Sequence, residues 1–237
     1  MEHDHIVKSF DDDLGHIDAI IAEMGGLAER QLADAVTALC NRDAELAQRV
    51  IDGDKRLDAL EGEIDNFTIR VLALRQPMAE DLRAVIVALK MAANLERIGD
   101  YAKNVAKRTL ILATMEPVAG TAASVQRMAA EVQSMIKNVL DAYGTRDIAK
   151  ADDVRLRDED VDQMHTSLFR ELLTYMMEDP HQITACSHLL FVAKNVERIG
   201  DHVTSIAEYV HFLVAGELPA DERPKGDLSS QTVVEPN

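Results

Sequence analysis

Glu96 and Asp100 stand four residues apart, and so do Glu197 and Asp201. On an α-helix each residue advances the face by about 100°, so positions i and i+4 lie about 40° apart and both members of each pair point the same way. By the same arithmetic Asp54, Asp58, Glu61 and Asp65 fall within a sector of about 60°. Asp158, Asp162 and His165 fall in a matching sector, with His165 in the place of Glu61. Unneutralised like charges at this spacing cost about 0.2–0.5 kcal/mol per pair, and a multivalent cation offsets that cost. Oxygen ligands on rigid helices suit Fe³⁺, Mn²⁺, Mg²⁺ or Ca²⁺, and a histidine widens the list to Zn²⁺, Ni²⁺ and Fe²⁺. One acidic pair among 42 acidic residues signals only a solvated face. Four stripes in two matched sets carry more, and metal sites stand against a merely acidic exterior as the two readings. Arg97, Lys103 and Arg198 lie near enough in sequence to neutralise part of the charge.

The sequence has no GxxxxGK[ST], GxGxxG or HExxH, and no GxSxG. A di-iron bundle of the ferritin type shows Glu-x-x-His on two helices; here Asp162 and His165 give one Asp-x-x-His, in one copy only. His3 and His5 beside Asp4 read as a frayed terminus. Net charge is −17 over 237 residues, which disfavours a nucleic-acid backbone as partner. Aromatics are 4% with no Trp, which argues against base-stacking platforms. Cys40 and Cys186 make no disulfide framework and read as apolar core residues in a reducing compartment. The acidic start of the chain lacks the basic-then-apolar order of a signal peptide. No apolar run approaches the roughly 20 residues of a membrane helix; 84–95 comes nearest and carries Lys90. These features predict a cytoplasmic protein.

The stripes need helices to carry them. Hydrophobic residues make up 47% of the chain, helix formers dominate, and no alternating Val/Ile/Thr run reads as a strand. Six helices are expected, at about 6–40, 44–75, 79–114, 120–144, 147–178 and 181–215. Asn41 and Asp43 offer a cap for the second, Pro77 ends it, Pro117 and Gly120 separate the third from the fourth, and Pro180 opens the sixth. Gly25-Gly26 is expected to interrupt or kink the first. An internal repeat organises the whole: Asn94-Leu-Glu-Arg-Ile-Gly-Asp-Tyr101 returns 101 residues on as Asn195-Val-Glu-Arg-Ile-Gly-Asp-His202. Asp54–Asp58 falls against Asp158–Asp162, and Pro77 against Pro180. The expected architecture is all-α: two tandem antiparallel three-helix bundles related by pseudo-twofold symmetry, 1–116 and 117–215, with a mobile tail over 216–237. In the third helix Leu95, Ile98, Ala102 and Val105 form the core line, which leaves Glu96 and Asp100 toward solvent or another surface. Gly99 and Gly200, matched between the acids, suggest close approach by a neighbouring helix.

The doubled Glu-Arg-Ile-Gly-Asp, the Leu74-Arg75-Gln76-Pro77 segment and the run from Glu171 to Pro180 resemble the PhoU family of phosphate-transport accessory regulators, over nearly the whole chain to about Gly216. The resemblance implies a cytoplasmic, dimeric protein, peripheral to the membrane through its partners. It implies repression of the phosphate-starvation response, by linking the phosphate ABC transporter and its ATPase subunit to a sensor histidine kinase, with no catalysis. It also implies iron or zinc clusters on E(D)xxxD motifs, here Glu96 with Asp100, Glu197 with Asp201, Asp54 with Asp58, and Asp158 with Asp162. Glu61, His165 and Asp65 are added by the helical arithmetic, and Mg²⁺ or another divalent cation is a substitute. A carboxylate-bridged metalloenzyme is the alternative.

Overall fold

The computed structural model describes the backbone of residues 2–221 and the side chains of residues 10–221. His3, His5 and the expected tail beyond 221 lie outside the described side chains. Helices α1 (Glu2–Asn41), α2 (Ala44–Gly53), α3 (Lys55–Arg75) and α4 (Ala79–Leu112) make the first half. Helices α5 (Thr121–Thr145), α6 (Ile148–Glu178) and α7 (Ile183–Ala215) make the second, with a short 3₁₀ turn over Pro180–Gln182. The described residues contain no strand, and the molecule is the all-α pair of helical bundles that the repeat predicts.

The expected second helix is divided. Asp54 sits as a turn between α2 and α3, and the Leu57 amide bonds its carbonyl three residues back at 2.9 Å. Gly53, which gains least from helical backbone, precedes the break. The expected kink at Gly25-Gly26 is not a break, because α1 runs unbroken through it. A Cβ at Gly25 would lie 2.6 Å from Leu140 Cδ1, so the missing side chain lets α5 approach α1. The tail begins anchored: Gly216 caps α7 with φ 85°, and Arg155 donates to the Asp221 carbonyl at 3.0 Å.

Two corners repeat as closely as the acidic motif. Arg42 and Arg146 take the left-handed conformation, φ 56° and 55°, and the aspartate after each caps the next helix. Asp43 accepts from the Leu46 amide at 2.9 Å and Asp147 from the Lys150 amide at 3.1 Å. Each cap satisfies an N–H that the helix leaves without a partner.

Helices α4 and α7 form the central pair, flanked by α1 to α3 on one side and α5 and α6 on the other. Their buried faces are Leu95, Ile98, Ala102 and Val105 on α4, and Val196, Ile199, Val203 and Ile206 on α7, all at 0% exposure. Each of the Leu, Ile and Val side chains contributes about 1.5–3 kcal/mol of burial. Tyr101 stacks on His202, its own repeat equivalent, with ring centroids 5.5 Å apart. The pseudo-dyad therefore passes between these two rings. Asp147→Ala is expected to lower stability by about 1 kcal/mol in urea unfolding; an unchanged midpoint would show that the repeated corner contributes nothing.

Candidate functional site

The α3 and α4 stripes meet. Lys103 of α4 bonds Asp54 at the head of α3 and, at 2.7 Å, Asp100 on its own helix. Arg97 reaches Glu96 at 3.5 Å and Asp100 at 3.3 Å. Asp54 is buried, Glu61, Glu96 and Asp100 are half-buried, and Asp58 and Asp65 are exposed. The close approach expected at Gly99 is present: a Cβ there would stand 2.5 Å from Leu57 Cδ1 and 3.2 Å from Asp54 Oδ1. At Gly200 the nearest such contact is an ordinary 3.4 Å, to Val161.

The second set is deeper. Asp158, Asp162 and His165 of α6 and Glu197 of α7 are all 5% exposed or less, and Asp201 is half-buried. Thr204 donates to Asp158 at 3.1 Å, and Lys194 donates to Glu197 Oε1 at 2.6 Å. Glu197 Oε2 is buried without a hydrogen-bond partner. Of the two surroundings expected for the acid rows, solvent or another surface, most of these residues have the second: the stripe on α7 meets α6 and that on α4 meets α3. A helical wheel gives the angle of a side chain on its own helix but not what the neighbouring helix places opposite.

The two clusters are neutralised differently. At the repeat offset Lys103 corresponds to Thr204, and Lys194 to Ala93. The first copy places its ammonium at the Asp54 end and the second at the Glu197 end. Burial works against the Lys103 charge, but Asp100 and Asp54 override it and hold the ammonium above its usual range. Burial raises Asp54 despite Lys103. Asp100 is lowered: its burial opposes ionisation, and bonds from Lys103 and Glu96 prevail. Burial and then the Asp100 charge push the Glu96 carboxyl up to about 7. Burial also pushes Glu197 up to about 7, with Asp201 and Asp162 adding to it and Lys194 opposing. Glu61 is raised by burial and then by Asp65.

The donors are of the right chemical type for hard cations, the carboxylates outnumber the cations bonded to them, and Glu197 Oε2 is an unsatisfied acceptor. Among the described residues, however, no three His, Cys, Asp or Glu side chains converge closely enough to hold an ion, and in the first cluster the Lys103 ammonium already bridges Asp54 and Asp100. His165 opens on a cavity of about 310 Å³ walled by Phe169, Leu190 and Phe191, and no carboxylate lines it. The acidic stripes alone do not mark Lys194 and Thr204; aligning the copies position by position shows a lysine in one copy facing a neutral residue in the other at both places.

A pseudo-symmetric, all-helical scaffold with acidic clusters on its duplicated motif defines a class of helical repeat proteins; no described helix is long and apolar enough to cross a membrane. The PhoU domain matches the chain twice, over residues 21–109 and 125–210, and the chain belongs to the PhoU family. A relative from Caulobacter vibrioides, a phosphate-specific transport system accessory protein PhoU homolog, is 53% identical over 96% of this chain and 99% of its own. The Escherichia coli K12 phosphate-specific transport system accessory protein PhoU is 39% identical over 90% of this chain and 88% of its own. The crystal structure of PhoU from Pseudomonas aeruginosa superposes with a TM-score of 0.86 at 39% identity, covering 88% of this chain and 100% of that one. The phosphate transport system regulatory protein PhoU from Streptococcus pneumoniae gives 0.82 at 28% identity, covering 89% of this chain and 99% of that one.

Because Lys103 bonds two carboxylates in one copy and Thr204 only one in the other, their removal is expected to differ. Lys103→Met should cost about 1.5–3 kcal/mol, the range for hydrogen bonds to charged groups, and Thr204→Val about 1 kcal/mol. Equal losses in denaturant unfolding would contradict the exchange of roles between copies.

Proposed function

We propose that the chain is a cytoplasmic, dimeric regulator of phosphate uptake that represses the phosphate-starvation response when phosphate is plentiful. It acts by docking rather than turnover, as an adaptor between the ATPase subunit of the phosphate ABC transporter and a phosphate-sensing histidine kinase. The observation that carries this reading is the match over nearly the full length to relatives named for the phosphate-specific transport system.

The acidic clusters act in it as cation-responsive elements. Asp54, Asp58, Glu61, Glu96 and Asp100 would hold a cation in the first copy, and Asp158, Asp162, His165, Glu197 and Asp201 in the second. Iron or zinc, or magnesium in their place, would supply positive charge between neighbouring helices. The protein groups do the rest: the carboxylates orient toward the shared charge, and Lys103 and Lys194 hold the cluster closed in its absence. Burial of Asp162 and Glu197 is the observation that favours the metalloenzyme alternative. Against it, the cavity on which His165 opens is lined by no carboxylate.

A chromosomal deletion is expected to raise a phosphate-starvation reporter in phosphate-rich medium, and an unchanged reporter contradicts the regulatory reading. Combined Glu96→Gln, Asp100→Asn, Glu197→Gln and Asp201→Asn in the purified protein is expected to abolish bound metal and alter affinity for the ATPase subunit. Retained metal content argues against the named ligands.

A further inference from the structure

A concavity of about 580 Å³ runs between α4 and α7. Lys107 and Arg108 line it from α4 and Lys194 and Arg198 from α7, and no carboxylate does. In this chain of net charge −17, several cations outside the groove sit on acids: Arg56 on Glu23 at 2.6 Å, Arg157 on Glu131 at 2.6 Å, and Arg75 on Asp13 at 2.9 Å. Among the described residues Lys107 and Arg108 make no ion pair with a carboxylate, while Arg198 feels the charges of Glu197 and Asp201 from beyond ion-pair distance. Arg108 Nη1 instead lies 3.3 Å from His188 Nδ1, and Arg198 donates to Tyr101 Oη at 3.4 Å. Lys194 is engaged by Glu197.

The two guanidinium groups are held against rings. Arg108 lies 4.1 Å over the centroid of Phe191, and Arg198 lies 6.0 Å from that of Tyr101. A guanidinium carries five N–H donors, so one bond to His188 or Tyr101 leaves others for a carboxylate. The same groove leaves large apolar side chains uncovered, Phe191 at 56% exposure and Ile111 at 42%. Past Phe191 and Lys194 it continues into the apolar cavity over α6 that His165 and Leu190 also line.

The repeat supplies an internal control. At the equivalent positions Lys107 becomes Glu208, Arg108 becomes Tyr209, Lys194 becomes Ala93 and Arg198 becomes Arg97. There Lys90 lies over Tyr209 at 5.0 Å, the ring stacking with its partners exchanged, and Arg97 is paired with Glu96 and Asp100. The duplicated scaffold thus reproduces the stacked cation but not the acid-free charge, so the charge belongs to one copy and not to the fold.

We propose that this groove docks an acidic segment of a partner protein that also carries an apolar side chain. The charge complementarity selects the acid, and exposed Phe191 and Ile111 select a protein segment over a free oxyanion, which gains nothing from apolar surface. The proposal rests on the adaptor reading and names the surface and the chemistry of one of its contacts.

The test compares the full chain with its Lys107→Glu, Arg108→Glu variant for binding to the purified transporter ATPase subunit and to the cytoplasmic part of the sensor kinase, at about 50 and about 200 mM salt. Lys107 is exposed and Arg108 half-buried at the surface; a Lys107→Gln, Arg108→Gln variant and a thermal melt of each guard against misfolding. The expected result is a loss of about tenfold or more for one partner with the reversed charges. A smaller loss is expected with glutamine, together with a shallower salt dependence than the parent chain. Equal binding of both partners by all three forms overturns the groove and leaves the adaptor reading intact. Failure of the parent chain to bind either partner overturns both. Saturable binding of pyrophosphate that the reversed charges abolish, with partner binding unaffected, overturns the proposal in favour of a small-anion site.

Discussion

Carboxylates pressed between helices must find positive charge or take up protons, and this constraint shapes the interfaces on both sides of the α4–α7 pair. The duplicated Glu-Arg-Ile-Gly-Asp motif sets one acid a turn above another and turns both toward a neighbouring helix that brings acids of its own. In water the arrangement would cost little. At an interface the charged form loses hydration, and the carboxyls of Glu96 and Glu197 rise to about 7. In the unfolded chain both would titrate near the ordinary glutamate value of about 4.3. A raised folded value means that the native state binds more protons across that interval. The stabilising contribution of these groups is therefore complete below about pH 4 and is lost as pH rises through about 7. A cation placed among the acids acts in the opposite direction.

The two copies meet the constraint with different residues. In the first, one ammonium, Lys103, spans from the α2–α3 break to α4 and ties Asp54 to Asp100. In the second, Thr204 provides only a hydroxyl to Asp158, Lys194 sits at the other end, and one oxygen of Glu197 is left without a partner. The exchange has a further result on the opposite flank of α7: the Lys194 that serves Glu197 also borders the acid-free groove beside Arg108 and Arg198. Acid cluster and basic groove therefore share a side chain, and charge placed on one is felt at the other.

Much of the architecture was legible in the residues. The repeat and the helix formers gave an all-α duplicated bundle, and Pro77 and Pro180 lie just past the ends of α3 and α6. Gly99 announced the tight contact with Leu57 and Asp54. Other features needed the fold. The break at Asp54 depends on a single residue whose carbonyl serves a tighter turn, and the left-handed Arg42 and Arg146 are not glycines, so nothing in their type marks them. The depth of Asp158, Asp162 and Glu197 follows from what α6 lays against α7, which no wheel of one helix contains. The groove joins cations from helices some 90 residues apart in sequence, and its lack of acids is visible only once they are adjacent.

The paired acids are held in electrostatic tension at the helix interfaces. Following the side-chain carboxyl carbons of Glu96 and Glu197 by ¹³C NMR as pH is varied tests it most directly. Both should titrate near 7 in the cation-free protein and fall toward the ordinary carboxylate range when a divalent cation is added. Titration of both near 4.3 without any added cation, with no response to one, would contradict the account.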